Sequence, residues 1–317
     1  MNNLIVSSSP HFKSTNSTAK IMRDVIIALI PAGVASVYYF GPSALALTAV
    51  CALTCMATEF VYNRIMNKPN TIGDLSAVVT GILLAYNLPA NLALWKAAVG
   101  SIFAIAVVKC LFGGLGQNFV NPAIGGRIFL ALSFTAAMSS YPNPFYYQGW
   151  PGATTGATIL GTIKDMFLKN TWVKLPPVWD FFIGNQNGML GETCAAALIL
   201  GGIYLMIRKV ISPIIPCTFI GTVFVLTWLF DIYPVYQIFS GGLMLGAIFM
   251  ATDYVTSPMS DRGKIVFGIG CGVLTVVMRL WSSSAEGVSY AILLMNILTP
   301  TIDQFMSNKP FGGVRKR

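Results

Sequence analysis

The chain has 317 residues, of which 55% are hydrophobic and only 10% are charged. A soluble domain carries roughly 25% charged residues, so this composition excludes an ordinary soluble protein and indicates an integral membrane protein. The net charge of +9 does not predict nucleic-acid binding, because the basic residues lie in short clusters between apolar runs. Residues 1–23 lack the apolar core and cleavage site of a signal peptide, so we expect them to be retained.

Ten apolar runs bounded by proline, glycine or charge are candidate membrane helices. The first five are residues 24–40, 43–62, 74–91, 96–112 and 123–140. The second five are residues 189–207, 211–230, 239–252, 264–282 and 287–305. The pattern predicts an all-α integral membrane protein of about ten transmembrane helices. Because five is an odd number, the second set enters the membrane in the opposite direction, which predicts a five-plus-five inverted repeat.

These runs divide the chain into five predicted segments. They are an N-terminal cytoplasmic segment 1–23, a first membrane half 24–140, an outer loop 141–188, a second membrane half 189–305 and a basic cytoplasmic tail 306–317. The shortest runs, 74–91 and 239–252, are the third of each half. In an inverted repeat, discontinuous helices at these positions line a central site.

The basic residues predict the orientation. If connections alternate between the two sides, fifteen of the twenty Lys and Arg residues, including Lys109 and Arg127, fall on one side. Because basic residues are retained on the cytoplasmic side, both termini are predicted to be cytoplasmic. All six tryptophans fall on the predicted outer side, at span ends or in the long loop, where indole rings favour the headgroup layer.

Ionisable residues at the ends of the runs have two interpretations. Three carboxylates cluster at the predicted cytoplasmic end, namely Glu59, Asp74 and Asp253, and three lie near the outer end, namely Glu192, Asp231 and Glu286. They either sit in headgroup water or pair with a nearby basic residue, or they form acidic vestibules of a cation route. The candidate ion-path residues are Glu59, Asp74, Asp253 and Glu286.

Two cysteines, Cys51 and Cys55, share one helix face. They either hold a metal or cluster shared with a partner or are buried thiols, and buried thiols are the favoured interpretation. No metal ligand or catalytic residue is assigned to the chain itself.

Two glycine-rich stretches, residues 112–130 and 241–264, contain polar side chains at membrane depth. The glycines predict close helix packing. The polar residues there either cap helices, as Asn121 before Pro122 is suited to do, or hold the edge of a heteroaromatic ring through paired hydrogen bonds. The candidates for such a ring site are Asn118, Asn121, Asp253 and Thr256.

The predicted outer loop contains the sequence WPGATTGATIL, from Trp150 to Leu160. Gly152 and Gly156 have the spacing of a close helix contact, and threonines in loops usually make only local turns. Within it, Thr155-Gly156-Ala157-Thr158 resembles the flavinylation motif of membrane subunits of the Rnf and Na+-translocating NADH:quinone oxidoreductase complexes.

Other stretches extend this resemblance over nearly the whole chain: GDLSAVVTGILLAYNLP, GLGQNFVNPA, GGLMLGAIFMATDYVTSP and EGVSYAILLMNILTP. The short N-terminus is more similar to the RnfD family than to the related B-type membrane subunits of the quinone-reducing complex, which have a longer N-terminal extension. The motif often has Asp six residues before the modified threonine, and Gly152 occupies that position here.

The resemblance implies an inner-membrane subunit of an ion-translocating ferredoxin:NAD+ oxidoreductase. In this family a flavin transferase joins FMN to the final threonine, here Thr158, through a phosphoester outside the membrane, and a noncovalent riboflavin binds among the spans. Electrons pass between flavins while Na+ or H+ is exported. The chain has neither a Rossmann fingerprint nor an iron–sulfur cysteine cluster, so the implied partners are Rnf subunits that carry FMN and iron–sulfur clusters.

Two other functions remain open at this point. A five-plus-five inverted repeat is also the architecture of urea-type channels and permeases for small solutes, which have no redox role. The chain also has the features of a structural anchor of a redox complex in which Thr158 is unmodified.

Overall fold

The computed structural model describes residues 17–148, 156, 158–169, 173, 175–282 and 286–306. Within these residues the regular structure is entirely helical, which confirms the predicted all-α class. Residues 1–16, part of the long loop and most of the predicted tail 306–317 lie outside the described residues.

The helices before the long loop are α1 Thr18–Phe40, α2 Pro42–Ile65, α3 Ser76–Tyr86, α4 Leu94–Ile102, α5 Pro122–Ser133 and the short α6 Thr135–Met138. Helix α4 continues as a π-helix over Phe103–Cys110. Ser17 caps α1 by accepting from Lys20 N, and Asn121 caps α5 by accepting from Ala123 N. Pro122 at the first turn of α5 has no N–H to leave unpaired.

The long loop contains α7 Ile159–Lys169 and α8 Val178–Ile183. The following helices are α9 Ala195–Ile207, α10 Ile214–Leu229, α11 Pro234–Phe239, α12 Leu243–Leu245, α13 Asp261–Trp281 and α14 Val288–Met306. Helix α12 continues as a π-helix over Gly246–Met250.

Each of the ten predicted runs contains a helix. Among the described residues, α1, α2 and α13 are long and apolar enough to cross a membrane by themselves. Four apolar helices, α3, α5, α9 and α10, are shorter than that. The chain is therefore a multi-pass α-helical membrane protein, while the number of crossings and the orientation stay predictions.

The third run of each half is short or broken, as expected for helices at a central site. Helix α3 has only 11 residues. The run 239–252 is divided between the end of α11, the short α12 and its π-helical continuation. Gly241, with φ +64°, makes the turn between α11 and α12.

The predicted run 189–207 begins too early, because its helix starts at Ala195. The preceding backbone is not helical and pairs with the end of α3. Leu190 N donates to Leu88 O at 3.0 Å, and Gly191 N donates to Tyr86 O at 2.9 Å. This non-helical backbone is tolerated in an apolar body because protein surrounds it and satisfies its polar groups.

Corresponding helices of the two halves make corresponding contacts. Helix α2 packs on α3 and α4, and α10 packs on the second π-helix and α13. The π-helical end of α4 packs on α5, as α13 packs on α14. Between the halves, α1 contacts α9 and α5 contacts α14. This repetition is what the predicted inverted repeat requires.

Helix α3 approaches α2 through Gly81. A Cβ at Gly81 would lie 2.6 Å from Ala52 Cα and 2.8 Å from Cys51 O, so the two helix backbones have no room for a side chain. The substitution Gly81→Ala should separate α2 from α3 and lower the thermal unfolding midpoint by several degrees, since overpacking costs about 1–3 kcal/mol.

The matched control is Gly221→Ala in α10, where a Cβ would meet no atom within 4 Å. The control should unfold at or slightly above the midpoint of the unchanged protein, because alanine favours helix. Equal midpoints for Gly81→Ala and Gly221→Ala in detergent would contradict the close approach.

Candidate functional site

A cavity lies between the halves, lined by residues from α1, α3, α5, α9 and the segment after the second π-helix. Asn118, Asn121 and Asp253, three of the four predicted ring-binding residues, line it. Thr256, the fourth, is buried behind Asp253 and donates to its Oδ2 at 3.2 Å. The four candidates are therefore brought together at one cavity.

The amides in this cavity are partly used by the fold. Asn121 caps α5 and donates from Nδ2 to Met250 O at 3.2 Å, at the end of the second π-helix. Asn118 donates to Val120 O at 2.9 Å. The capping interpretation of Asn121 is confirmed, and the same residue lines the cavity.

Lys109 also lines this cavity, which the sequence did not predict. Its ammonium donates to Glu59 Oε2 at 2.9 Å and to Ser76 Oγ at 2.7 Å. Lys109 is 2% exposed and Glu59 is 3% exposed, so this is a buried ion pair. The structure therefore places Lys109 inside the protein, and the side of the membrane to which it belongs stays a prediction. The signal for burial was its position within the otherwise apolar FAIAVVKC segment.

Further hydrogen bonds extend this ion pair in two directions. Thr71 Oγ1 donates to Glu59 Oε1 at 2.6 Å and accepts from Asn63 Nδ2 at 2.9 Å. Ser76 Oγ donates to Asp74 Oδ1 at 2.5 Å. For Glu59, pairing with a basic residue is confirmed, and its place in a cation route stays a prediction.

Thr158 immediately precedes α7. Its Oγ1 accepts from Gly161 N at 3.3 Å, and its carbonyl accepts from Thr162 N at 3.1 Å. The predicted motif residues Thr155 and Ala157, and Gly152, lie outside the described residues. Gly156 N donates to Tyr141 O at 3.0 Å, and a Cβ at Gly156 would collide with the Asn187 side chain. A side chain at this position would therefore require the Asn187 side chain to move.

A small pocket adjoins Thr158 and is lined by Gln186, Glu192, Thr193, Ser240 and Glu286, among other residues. Both carboxylate oxygens of Glu192 are buried without a hydrogen-bond partner in the structure. The Thr193 and Ser240 hydroxyl oxygens share this property. Buried polar atoms of this kind indicate a bound polar group or water.

Two arginines are buried beside this pocket. Arg127 forms an ion pair with Glu286, and Arg279 donates to Gln237 O at 2.6 Å and to Ser240 O at 3.1 Å. Arg127 was predicted on the cytoplasmic side and Glu286 near the outer end, but their ion pair places the two side chains at one depth, so the two predictions cannot both be right. Arg127 is 5% exposed, and Glu286 lies just before α14. Burial and the nearby Glu286 carboxylate raise the pKa of Tyr141, which lies in the long loop.

The ion-path candidates divide between the two regions. Glu59 and Asp74 join through Lys109 and Ser76, beside the cavity that Asp253 lines. Glu286 instead lies at the pocket beside Thr158.

Cys51 and Cys55 are fully buried. No cluster of three or more His, Cys, Asp or Glu residues suited to a metal occurs in the portion of the chain that the structure describes.

The fold and these two polar regions define a multi-pass α-helical membrane protein with ionisable side chains buried at depth, a feature of proteins that move ions. A sequence model of the NQR2, RnfD, RnfE family matches residues 5–312, and the chain belongs to this family.

The chain has similar relatives over nearly its full length. It is 46% identical, over 98% of the chain and 96% of the relative, to the D subunit of the Na(+)-translocating ferredoxin:NAD(+) oxidoreductase complex of Acetobacterium woodii. It is 42% identical, over 97% and 96%, to the D subunit of the proton-translocating ferredoxin:NAD(+) oxidoreductase complex of Clostridium ljungdahlii. The D subunit of an ion-translocating oxidoreductase complex of Pseudomonas aeruginosa is 35% identical over 96% of this chain and 94% of the relative.

The buried pair between Arg127 and Glu286 joins the two halves of the chain. Removing one partner of a buried ion pair typically costs about 3–5 kcal/mol, so Arg127→Met should markedly lower the thermal unfolding midpoint in detergent. The double variant Arg127→Met/Glu286→Gln should recover part of that loss, because neither unbalanced charge remains.

Lys169→Ala provides the comparison. Lys169 pairs with Asp165 at 3.1 Å, but both side chains are more than half exposed, so this substitution should change the midpoint little. A single variant Arg127→Met as stable as Lys169→Ala would show that the inter-half pair does not stabilise the fold.

Proposed function

We propose that this chain is a membrane subunit of an Rnf-type ion-translocating ferredoxin:NAD+ oxidoreductase, equivalent to RnfD. The observation that carries the proposal is the full-length similarity to relatives named as the D subunit of such complexes, at 46% and 42% identity. By this proposal the chain acts only within the complex in the bacterial inner membrane, with Rnf subunits that carry FMN and iron–sulfur clusters as its partners.

FMN is attached to Thr158 in this proposal, by a phosphoester that a flavin transferase makes on the outer side of the membrane. Thr158 suits the role because its hydroxyl lies at the N-terminus of α7, where Gly161 N donates to it. A phosphate at that oxygen meets the positive end of the helix dipole. The partnerless polar atoms of Glu192, Thr193 and Ser240 line the adjoining pocket and offer hydrogen bonds to a polar ring edge.

The bound flavins supply the redox chemistry, and the protein supplies position and charge. At the pocket beside Thr158, Arg127 and Arg279 contribute two buried positive charges, of which Arg127 is paired with Glu286. Arg279 is held by neutral oxygens of Gln237 and Ser240. A positive charge held in this way favours the reduced, more negative state of a nearby electron carrier.

Riboflavin occupies the cavity between the halves in this proposal. The walls are mainly apolar, and Asn118, Asn121 and Asp253 provide polar groups among them. That combination suits a flat heteroaromatic ring with one polar edge.

The coupled cation is Na+ or H+, since the first two of these relatives are named for one ion each. The proposed carboxylate route comprises Glu59, Asp74 and Asp253 at the cavity and Glu286 beside Thr158.

The attachment site predicts the outcome of one substitution. Thr158→Ala should abolish flavin fluorescence of this chain on a denaturing gel, because no hydroxyl remains to be esterified, while Thr158→Ser should retain part of it. Thr162→Ala is the matched control, one turn further along α7, and should remain fluorescent.

Fluorescence that survives Thr158→Ala would contradict the site. If the unchanged chain carries no covalent flavin, the redox proposal fails and a solute permease or a structural anchor becomes the better account. Solute flux through the purified chain in vesicles then separates these two.

The cavity predicts a second, independent result. Alanine substitutions at Asn118, Asn121, Asp253 or Thr256 should reduce the noncovalent flavin that denaturation releases from the purified complex, severalfold for residues that contact the ring. Asn91→Ala, at an exposed asparagine paired with Ser140, is the control and should release the normal amount. Normal flavin content in all four variants would contradict the assignment of this cavity.

A further inference from the structure

Lys109 contacts both the proposed flavin cavity and the proposed ion route. Its ammonium is 2.9 Å from Glu59 Oε2, and its side chain lines the cavity with Asn118 and Asn121. Because Lys109 is only 2% exposed, solvent and salt screen its charge weakly from either neighbour. A change of charge in the cavity therefore acts directly on the ion pair.

The backbone around Lys109 is also unusual. Lys109 lies in the π-helical segment Phe103–Cys110, and π-helical turns occur frequently at functional sites. Just after this segment, Leu111 N donates to Ala106 O at 3.1 Å, which keeps the wider π-type spacing to the end of the helix.

The carboxylate that Lys109 neutralises has further oxygen ligands close to it. Glu59 Oε1 accepts from Thr71, and Thr71 is half-buried rather than fully enclosed. On the other side of the ammonium, Ser76 Oγ connects to Asp74, which is also half-buried. Carboxylate and hydroxyl oxygens are the ligands that hard cations prefer, so a cation that reaches Glu59 finds suitable atoms.

We propose that Lys109 is a positioning residue that couples the charge of the noncovalent flavin to cation uptake at Glu59. This inference rests on the proposed function, because it requires a flavin in the cavity. When the cavity gains one electron from a donor in the complex, the added negative charge attracts the Lys109 ammonium, which keeps its proton. Glu59 loses part of its neutralising charge and takes up one Na+ or one H+ from the solvent.

One electron and one cation thus enter the buried region together, and its net charge does not change. Loss of the electron reverses both movements. The driving force is the cost of an unbalanced buried charge, since a buried carboxylate without its partner is strongly destabilising.

The test is a redox titration of the noncovalent flavin in the purified complex, at several Na+ concentrations and several pH values. In the variant Lys109→Met the equilibrium constant for one-electron reduction should fall about tenfold, a lowering of ~59 mV, and the cation dependence should disappear. Lys109→Arg keeps the charge and should restore most of both properties. Lys68→Met removes an exposed lysine and should change neither.

Other titratable groups surround this ammonium, namely Asp74, Asp253, Cys55 and Cys110. The pH series is therefore also run on Lys109→Arg, which keeps a positive charge beside these groups. Dependence on Na+ alone identifies Na+ as the cation, and dependence on pH alone identifies H+.

An unchanged potential with an unchanged cation dependence in Lys109→Met would overturn the inference, while leaving the proposed function intact. If the complex does not assemble with Lys109→Met, Glu59→Gln tests the inference instead, because it leaves the Lys109 ammonium in place. In Glu59→Gln the cation dependence must vanish, and its persistence would overturn the inference. Absence of noncovalent flavin from the unchanged complex would instead contradict the proposed function, and the inference with it.

Discussion

The ion pair between Lys109 and Glu59 is the interaction on which the rest of this structure depends. Charged side chains in an apolar helical body are costly unless a partner and hydrogen bonds satisfy them. Here the partner comes from α2 and the hydrogen bonds from Thr71 and Ser76, which fixes α2, α3 and the π-helical end of α4 around one point. The cavity between the halves opens beside that point.

The irregular backbone of the protein serves the same polar regions. The short α3, the two π-helices and the non-helical residues 189–194 interrupt what would otherwise be simple spans. Side chains or neighbouring backbone satisfy polar groups at these interruptions, as when Asn121 donates to Met250 O. These interruptions bring polar groups to the cavity and to the pocket beside Thr158, which continuous apolar helices would not do.

Much of the fold could be predicted from the sequence, because hydropathy directly reflects which segments avoid water. All ten predicted runs contain helices, and the cap at Asn121 followed from Asn-Pro chemistry. The grouping of Asn118, Asn121 and Asp253 at one cavity was also anticipated from their polarity at depth.

The partners in the buried ion pairs could not be predicted. Rules for basic residues assume that each lies at the membrane surface, whereas Lys109 and Arg127 pair with partners 50 and 159 residues away in the chain. Separations of that size depend on tertiary packing and have no local pattern. The predicted start of α9 was too early for a related reason. An apolar segment predicts a helix even where its backbone pairs with another segment.

The central claim is that the hydroxyl of Thr158 carries a flavin. The most direct measurement is the mass of the peptide containing Thr158, from this chain isolated in its native membrane and digested under conditions that preserve phosphoesters. The account predicts a peptide heavier by one FMN less one water, with fragmentation that assigns the increment to Thr158. An unmodified peptide, or an increment on another residue, would contradict it.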